Sequence, residues 1–541
     1  MNTDIDNPCS RRNFKIALGA VVLLLILGGQ RIWLTTHREV IAKDGILYVQ
    51  MAQRMAEAPL DATREMRALH PGYSAATAGV HGLVGGTDRK SWEDAATLVS
   101  FQANLAAVLG VWVLGWLVLG SPQLGWCAAL LFGLGHNMAI LGADVGSDSL
   151  ALAFGIWSVV TAVRVADGLE QQRRGVWAWA VVTGLLVGAG YLVRPEMAVV
   201  LLAGVVLWLT ALRRGARLRP VLGCALALLA GAAVLAVPYM VLVGSVLGKW
   251  GGESYWRLAA AAQPQPLAMI ASASNPFEAV GKVVAEFFEA QHPVLATLTC
   301  LYLLAWALGR TKALQPWRDC LPRPSRSGGM MLVLLAAFSV PTLALREALT
   351  GELSSRYAML LAATTAILPA ALLGGAGKLA ATLADMRQAR ARVFYGGLAA
   401  LAVTLAAHAL RPVHSGDVYL REAGLALGQV IEDDEQLLSD STYVLYYSGG
   451  EGKYLPRDEA GQFRIRNRPT QPGEVPMIQK RSAAFVAMRG LAGSEQLQAD
   501  AASMRGAGYS LWQEFARDPD DADGRVLRIW RRMESLGSPP Q

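Results

Sequence analysis

The run "FKIALGAVVLLLILGGQRIWL", Phe14 to Leu34, constrains this chain more than any other stretch. A helix needs roughly 20 apolar residues to cross a bilayer, and blocks of that length recur along the sequence. The first block exceeds a signal-peptide core and no small-residue cleavage site follows it, so it reads as a retained helix. Of the 541 residues, 53% are hydrophobic and 17% charged, with mean hydropathy +0.33. A soluble chain of this length would suggest several domains. This one reads as a polytopic membrane protein, mainly α.

About eleven spans are expected, near 14–36, 97–119, 123–142, 148–166, 175–193, 196–212, 220–243, 293–309, 329–345, 357–376 and 393–410. Arg194-Pro195-Glu196 interrupts an apolar stretch too long for one crossing, and reads as a tight turn at a membrane surface. Orientation follows from the short basic loops. One side collects Arg11, Arg12 and Lys15, then Arg164, Arg173 and Arg174, then Arg213, Arg214, Arg217 and Arg219. The same side takes Arg310 to Arg326 and Lys378 to Arg392, while the other carries little beyond Arg194, Arg346 and Arg356. The N-terminus is therefore expected in the cytoplasm, and residues 411–541 outside.

The net charge of +7 resides in those loops, which argues against nucleic-acid binding. Cys127, Cys224 and Cys300 lie inside apolar runs, and Cys9 and Cys320 precede or separate them. Neither a disulfide framework nor a zinc site is indicated. Residues 1–410 are read as the membrane domain, with long outer loops at 37–96 and 244–292. The polar tail, 411–541, alternates short β-rich runs ("TYVLYYSG", "SAAFVAMRG", "YSLWQEF", "GRVLRIWRR") with helical ones ("REAGLALGQVIEDD", "SEQLQADAASMRGAG"). That alternation reads as a small α/β domain.

In this topology Asp44, Asp144, Asp148, Glu196, Glu253, Glu347, Glu352, Arg194 and Arg356 all fall near span ends on the outer side. Such a gathering suits a reaction on a polar substrate at that surface. Asp44 precedes "GILYVQMAQRM", in which Ile46, Tyr48, Ala52 and Met55 recur at helical spacing. It reads either as the N-cap of an interfacial helix or as a general base at the lipid boundary, and the two roles are compatible. Asp144 and Asp148 share a very short turn, where one caps a helix and the pair could orient an acceptor or share a divalent cation. Arg194 either pairs with Glu196, reaches lipid phosphates, or faces the bundle and binds a phosphate. Arg356-Tyr357 raises the same choice, with tyrosine as an ordinary boundary aromatic. His70 precedes a helix opened by Pro71, and reads as a surface hydrogen-bonder rather than a catalyst.

Taken together, these stretches resemble the GT-C class of integral-membrane glycosyltransferases. The pattern is similar to the dolichyl-phosphate-mannose protein mannosyltransferase-like group and to the bacterial aminoarabinose-lipid A transferases. The matches run in family order: "KDGILYVQMAQRM", "HPGYSAATAGVHGLVGG", "SDSLALAFGIWS", "GAGYLVRPEMAVVLL", "SSRYAMLLAATTAILPA" and, in the tail, "REAGLALGQVIEDDEQLLSDSTYVLYYSGG". Two departures stand out. Lys43 precedes Asp44 where many relatives carry adjacent acids, and Gly72 follows His70-Pro71 where a second proline is common. The resemblance implies a sugar donor on a polyprenyl phosphate and inverting transfer to a lipid, glycan or protein hydroxyl. It implies Asp44 as the base, Arg356, Arg194 and Tyr357 around the donor phosphate, and Asp148 or Asp144 positioning the acceptor with Glu196, Tyr48 and His70 in support. No cofactor is certain. A bacterial inner membrane is expected, since the tail resembles bacterial members and no retention signal ends the chain.

Two rivals are weighed. A transporter or flippase would carry polar residues midway along several spans and internal repeats, neither of which is evident. A non-catalytic scaffold or sensor would not need acids in separate outer loops.

Overall fold

The computed structural model describes residues 8–67, 69–244, 276–309, 315–350, 353–384, 387–431, 435, 437–449, 452–454, 464–465, 468–469, 483–492, 494–517 and 524–533. Glu253 and Glu352 lie outside the described residues. The chain forms two compact units, Met1–Thr36 with Tyr48–Arg411 and His37–Leu47 with Pro412–Gln541.

The first unit is helical: α1 (Pro8–Thr36), α2 (Lys43–Glu57, which starts in the second unit's segment), α3 (Pro59–Glu65), α4 (Pro71–Val84), α5 (Arg89–Leu119), α6 (Pro122–Leu134), α7 (His136–Ala143), α8 (Asp148–Glu170), α9 (Val176–Val193), α10 (Ala198–Leu212), α11 (Leu218–Val243), α12 (Pro276–Gln291), α13 (Pro293–Leu308), α14 (Gln315–Cys320), α15 (Arg326–Thr350), α16 (Ser355–Thr365), α17 (Ile367–Ala384) and α18 (Arg387–Ala409). Among the described residues, nine helical segments are long and apolar enough to cross a membrane, or up to eleven if each of two bent pairs is one span. The expected continuous span at 123–142 is one of those pairs. It breaks into α6 and α7 at 70°, because Gly135 takes an extended conformation (φ −58, ψ 141) that ends the helix. The second pair, α12 and α13, bends by 113° at His292, whose φ of +76 precedes Pro293.

Small residues let the helices approach closely. A Cβ on Gly231 of α11 would lie 2.7 Å from the Val181 carbonyl of α9, and one on Gly188 would lie 2.8 Å from the Ala232 carbonyl. The α9–α11 pair therefore packs backbone to backbone.

The second unit is α/β, as the composition of the tail suggests. Its five-stranded sheet has the order β2 (Gly452–Tyr454), β1 (Leu437–Ser439), β5 (Phe485–Leu491), β7 (Arg525–Arg532), β6 (Tyr509–Ala516), and β3 (Arg464–Ile465) pairs with β4 (Arg468–Pro469) in a separate ribbon. β1 runs parallel to β2 and β5, and β7 antiparallel to β5 and β6. Leu438, Val486, Met488, Met504, Tyr509 and Trp530 form its core. Three of the four expected strands are present. The fourth, "TYVLYYSG", is instead the helix α20 (Thr442–Ser448), beside α19 (Val418–Gly428). Its aromatic content suggests a strand, but Tyr443, Val444, Tyr446 and Tyr447 are buried at a helical spacing. A parallel β1–β2 pair also needs a crossover between its strands.

Candidate functional site

Six side chains from four separate stretches of the first unit meet in one cluster. Asp148 opens α8, where unpaired amides at a helix start favour a carboxylate. Arg194 precedes Pro195, and the clash that a proline imposes on its predecessor holds it extended (φ −152, ψ 127), so that it leaves α9. One 3₁₀ turn, Pro195–Met197, carries Glu196. Arg346 lies near the end of α15, and Arg356 with Tyr357 in the first turn of α16.

Arg194 Nη2 is 2.8 Å from Asp148 Oδ1, and Arg356 Nη1 is 3.8 Å from Asp148 Oδ2. Arg346 Nη1 is 3.4 Å from Glu196 Oε1 and donates through Nη2 to the Tyr357 hydroxyl at 2.7 Å. The Tyr357 ring lies beneath both guanidiniums, 3.8 Å from Arg346 and 5.2 Å from Arg194. Arg194 also donates to Ser147 Oγ at 3.2 Å, and that hydroxyl donates to the Tyr48 hydroxyl at 2.9 Å. Burial, the largest influence on the Arg194 guanidinium, disfavours its charge. The carboxylates of Asp148 and Glu196, with Tyr48 and Tyr357, more than offset it, and the pKa rises above the ordinary arginine value. Three guanidiniums against two carboxylates leave the cluster one formal positive charge. Asp148 and Arg194 are nearly enclosed, whereas the Arg356 side chain remains 43% exposed. Arg356 is thus the most exposed of the three guanidiniums.

This geometry decides between several of the sequence alternatives. Arg194 faces the bundle and pairs with Asp148 rather than with Glu196. Glu196 pairs with Arg346, which the sequence places on the outer side but not among the candidate site residues. The available signal was an Arg346-Glu347 pair ending an apolar run. Tyr48 and Tyr73 pack edge to face at 5.3 Å beneath the cluster. Asp144 ends α7, and its Oδ1 accepts the Val145 amide at 2.7 Å. His70 does precede the Pro71 helix, but it is buried rather than at the surface, against the rings of Tyr191 and Tyr239. The apolar wall of α9 and α11 claims it. Asp44 is not the N-cap: α2 begins at Lys43, so Asp44 sits inside the first turn, with the chain donating from Ile46 to the Ala42 carbonyl. It belongs to the second unit's segment, where Glu39 pairs with Arg421 at 3.8 Å.

Two adjoining cavities and a groove share Glu196. A polar chamber is lined by Asp148, Arg194, Glu196, Arg356 and Tyr357. A second space adds Ser339 and Thr342. An apolar groove of about 1110 Å³, counting its open mouth, runs along Val187, Leu202, Leu229, Val237 and Met240. Glu196 Oε2 is buried there without a hydrogen-bond partner among the described residues. The described residues hold no group of three or more His, Cys, Asp or Glu placed to bind one metal ion.

No protein-family model matches the chain, and no curated protein matches it in sequence. Solved structures do resemble it. The oligosaccharyltransferase AglB of Archaeoglobus fulgidus, solved with an inhibitory peptide and a dolichol-phosphate, superposes with a TM-score of 0.60 at 12% identity, over 96% of this chain and 76% of its own. ArnT of Cupriavidus metallidurans in the apo state gives 0.55 at 13% identity, over 96% and 98%. The same ArnT bound to undecaprenyl phosphate gives 0.51 at 12% identity, over 97% and 99%.

Proposed function

We propose that this chain, which has the fold of the GT-C integral-membrane glycosyltransferases, moves a sugar from a polyprenyl phosphate to an acceptor hydroxyl on the outer face of a bacterial inner membrane. The observation that carries this reading is the juncture at Glu196, where an apolar groove meets a chamber lined by Arg194 and the partly exposed Arg356. A polyprenyl tail suits the groove, and a phosphodiester anion suits Arg356. The lipid phosphates in the AglB and ArnT structures are consistent with it.

In the proposed reaction Asp44 takes the acceptor hydroxyl proton, and the oxygen attacks the anomeric carbon from the face opposite the phosphate. The bond from that carbon to the phosphate oxygen breaks with inversion. Its electron pair leaves with the polyprenyl phosphate, which gains a negative charge. Arg356, backed by Arg194 and Arg346, stabilises that charge as it develops. Asp148 holds two of these arginines in register, and with Asp144 orients the acceptor. The domain from 411 onwards lies outside the membrane and takes part in acceptor recognition. A lipid, a glycan or a protein could supply the hydroxyl.

The test uses purified protein in nanodiscs offered a panel of polyprenyl-phosphate sugars, with release of free polyprenyl phosphate as the readout. Release from at least one donor supports the reading, and none from any donor sinks it. Arg356→Ala is expected to raise the donor KM and lower kcat, together costing about 10²-fold in kcat/KM, as for loss of one donor to a developing anion. Arg356→Lys should recover only part, because a lysine lacks the planar fork. A divalent cation is tested in the same assay. With arginines at both Asp148 oxygens, turnover is expected to persist in EDTA; its loss on chelation and return with Mg²⁺ or Mn²⁺ would assign Asp148 or Asp144 to a metal instead.

A further inference from the structure

Arg31, near the end of the first span, is completely buried. A charge inside a membrane bundle is costly and marks a function by default. Its guanidinium donates from Nε to Asn104 Oδ1 at 3.1 Å, from Nη2 to the Gly133 carbonyl at 2.5 Å, from Nη1 to the Leu27 carbonyl at 3.4 Å, and to Gln30 Oε1. All four acceptors are neutral.

The Gly133 contact has a local cause. Because α6 breaks at Gly135, its last carbonyls lose the amides that a continuing helix would bring. Arg31 supplies a donor to one of them. Asn104, on α5, is oriented by the same guanidinium, which can only donate and so demands the amide oxygen. Its Nδ2 is left to donate to the Met138 carbonyl at 2.9 Å and to Ser149 Oγ at 3.3 Å. Ser149 Oγ in turn donates to the Leu141 carbonyl at 2.7 Å. Met138 and Leu141 belong to α7, and Ser149 follows Asp148 in the first turn of α8. Gly142 seats the network: a Cβ there would lie 2.6 Å from Asn104 Cγ and 3.0 Å from Arg31 Cγ.

We infer that Arg31 and Asn104 are positioning residues for Asp148. They pin both sides of the turn between α7 and α8, and so set the angle at which Asp148 meets Arg194 and Arg356. The catalytic consequence rests on the donor-site reading above; the ordering of the turn does not.

Asn104→Asp separates positioning from stability. It keeps an oxygen for Arg31, now charged, and removes the donor to Met138 and Ser149. In full-length protein in nanodiscs, amides of 144–149 are expected to exchange with deuterium about tenfold faster than in the native chain, with Tm unchanged or higher. The kcat for polyprenyl phosphate release should fall about tenfold with the donor KM within twofold, since misplaced reacting groups slow the chemical step. Arg31→Met/Asn104→Leu, which removes the buried cation together with its partner, should show the same exchange if Asn104→Asp proves poorly folded. Native exchange at 144–149 in both variants overturns the inference, as does native kcat in an active Asn104→Asp protein. A native chain that releases no polyprenyl phosphate defeats the donor reading, and the exchange result alone then decides the network.

Discussion

Asp44→Asn is expected to lower turnover by about 10²–10⁴-fold, the range for loss of a general base, while leaving the donor KM and the Tm close to native. The substitution is nearly isosteric. Asp44 lies in the first turn of α2 and is only partly buried, its charge gains about 0.3–1 kcal/mol from the helix start, and a Tm close to native is the check that the fold is intact. A large kinetic effect would therefore be chemical. Single-turnover release of polyprenyl phosphate in nanodiscs, with donor saturating, measures it directly. Unchanged turnover would keep the enzyme but move the base to Asp148 or to Glu39, the next acid upstream.

Asp148→Asn is expected to fail differently, in stability as well as rate. Arg194 is enclosed, and Asp148 is the carboxylate 2.8 Å from it. Removing one partner of a buried pair costs about 3–5 kcal/mol, and it leaves the Arg194 guanidinium only the weaker influence of Glu196. The cluster's formal charge also rises by one, and Arg356 loses its neighbour at 3.8 Å. The Tm should fall by several degrees and turnover by a larger factor than Tm alone explains. A double variant, Asp148→Asn/Arg194→Met, removes both charges. It should regain thermal stability but not activity. Recovery of activity along with stability would mean that the pair holds the bundle together and takes no part in the reaction.

The contrast between these two residues reflects how far a linear reading reaches. The helical bundle and the small α/β tail were legible because hydropathy and periodicity are local properties. So was the presence of acids and arginines at the span ends, since a charge at the edge of an apolar block is visible as such. The pairings were not. Arg194 stands two residues from an acid in sequence yet pairs with Asp148, and Arg346 pairs with Glu196 across 150 positions. Proximity along the chain suggested the wrong partner because Pro195 turns Arg194 away from the turn that carries Glu196. The helix at Thr442–Ser448 differs from the expected strand for a related reason. Its tyrosines favour a strand by residue type, but the sheet's parallel connection required a crossover.

Gly135 shows the same division within one expected span. Composition alone makes 123–142 a continuous apolar helix, and Gly133, Gly135 and His136-Asn137 within it do not fix a 70° bend. The bend is stable because Arg31, 102 residues away, donates to the carbonyl that the break exposes. His70 likewise reads as a polar surface residue until α9 and α11 close over it. What the sequence determined by itself is the apolar blocks, the helical character of the bundle they build, and which polar residues border those blocks, since each depends on a few neighbouring side chains. Which arginine faces which carboxylate, where a helix may break, and which histidine is buried were decided only by tertiary packing, because a charge or an open carbonyl inside a bundle persists only where a distant segment supplies its partner.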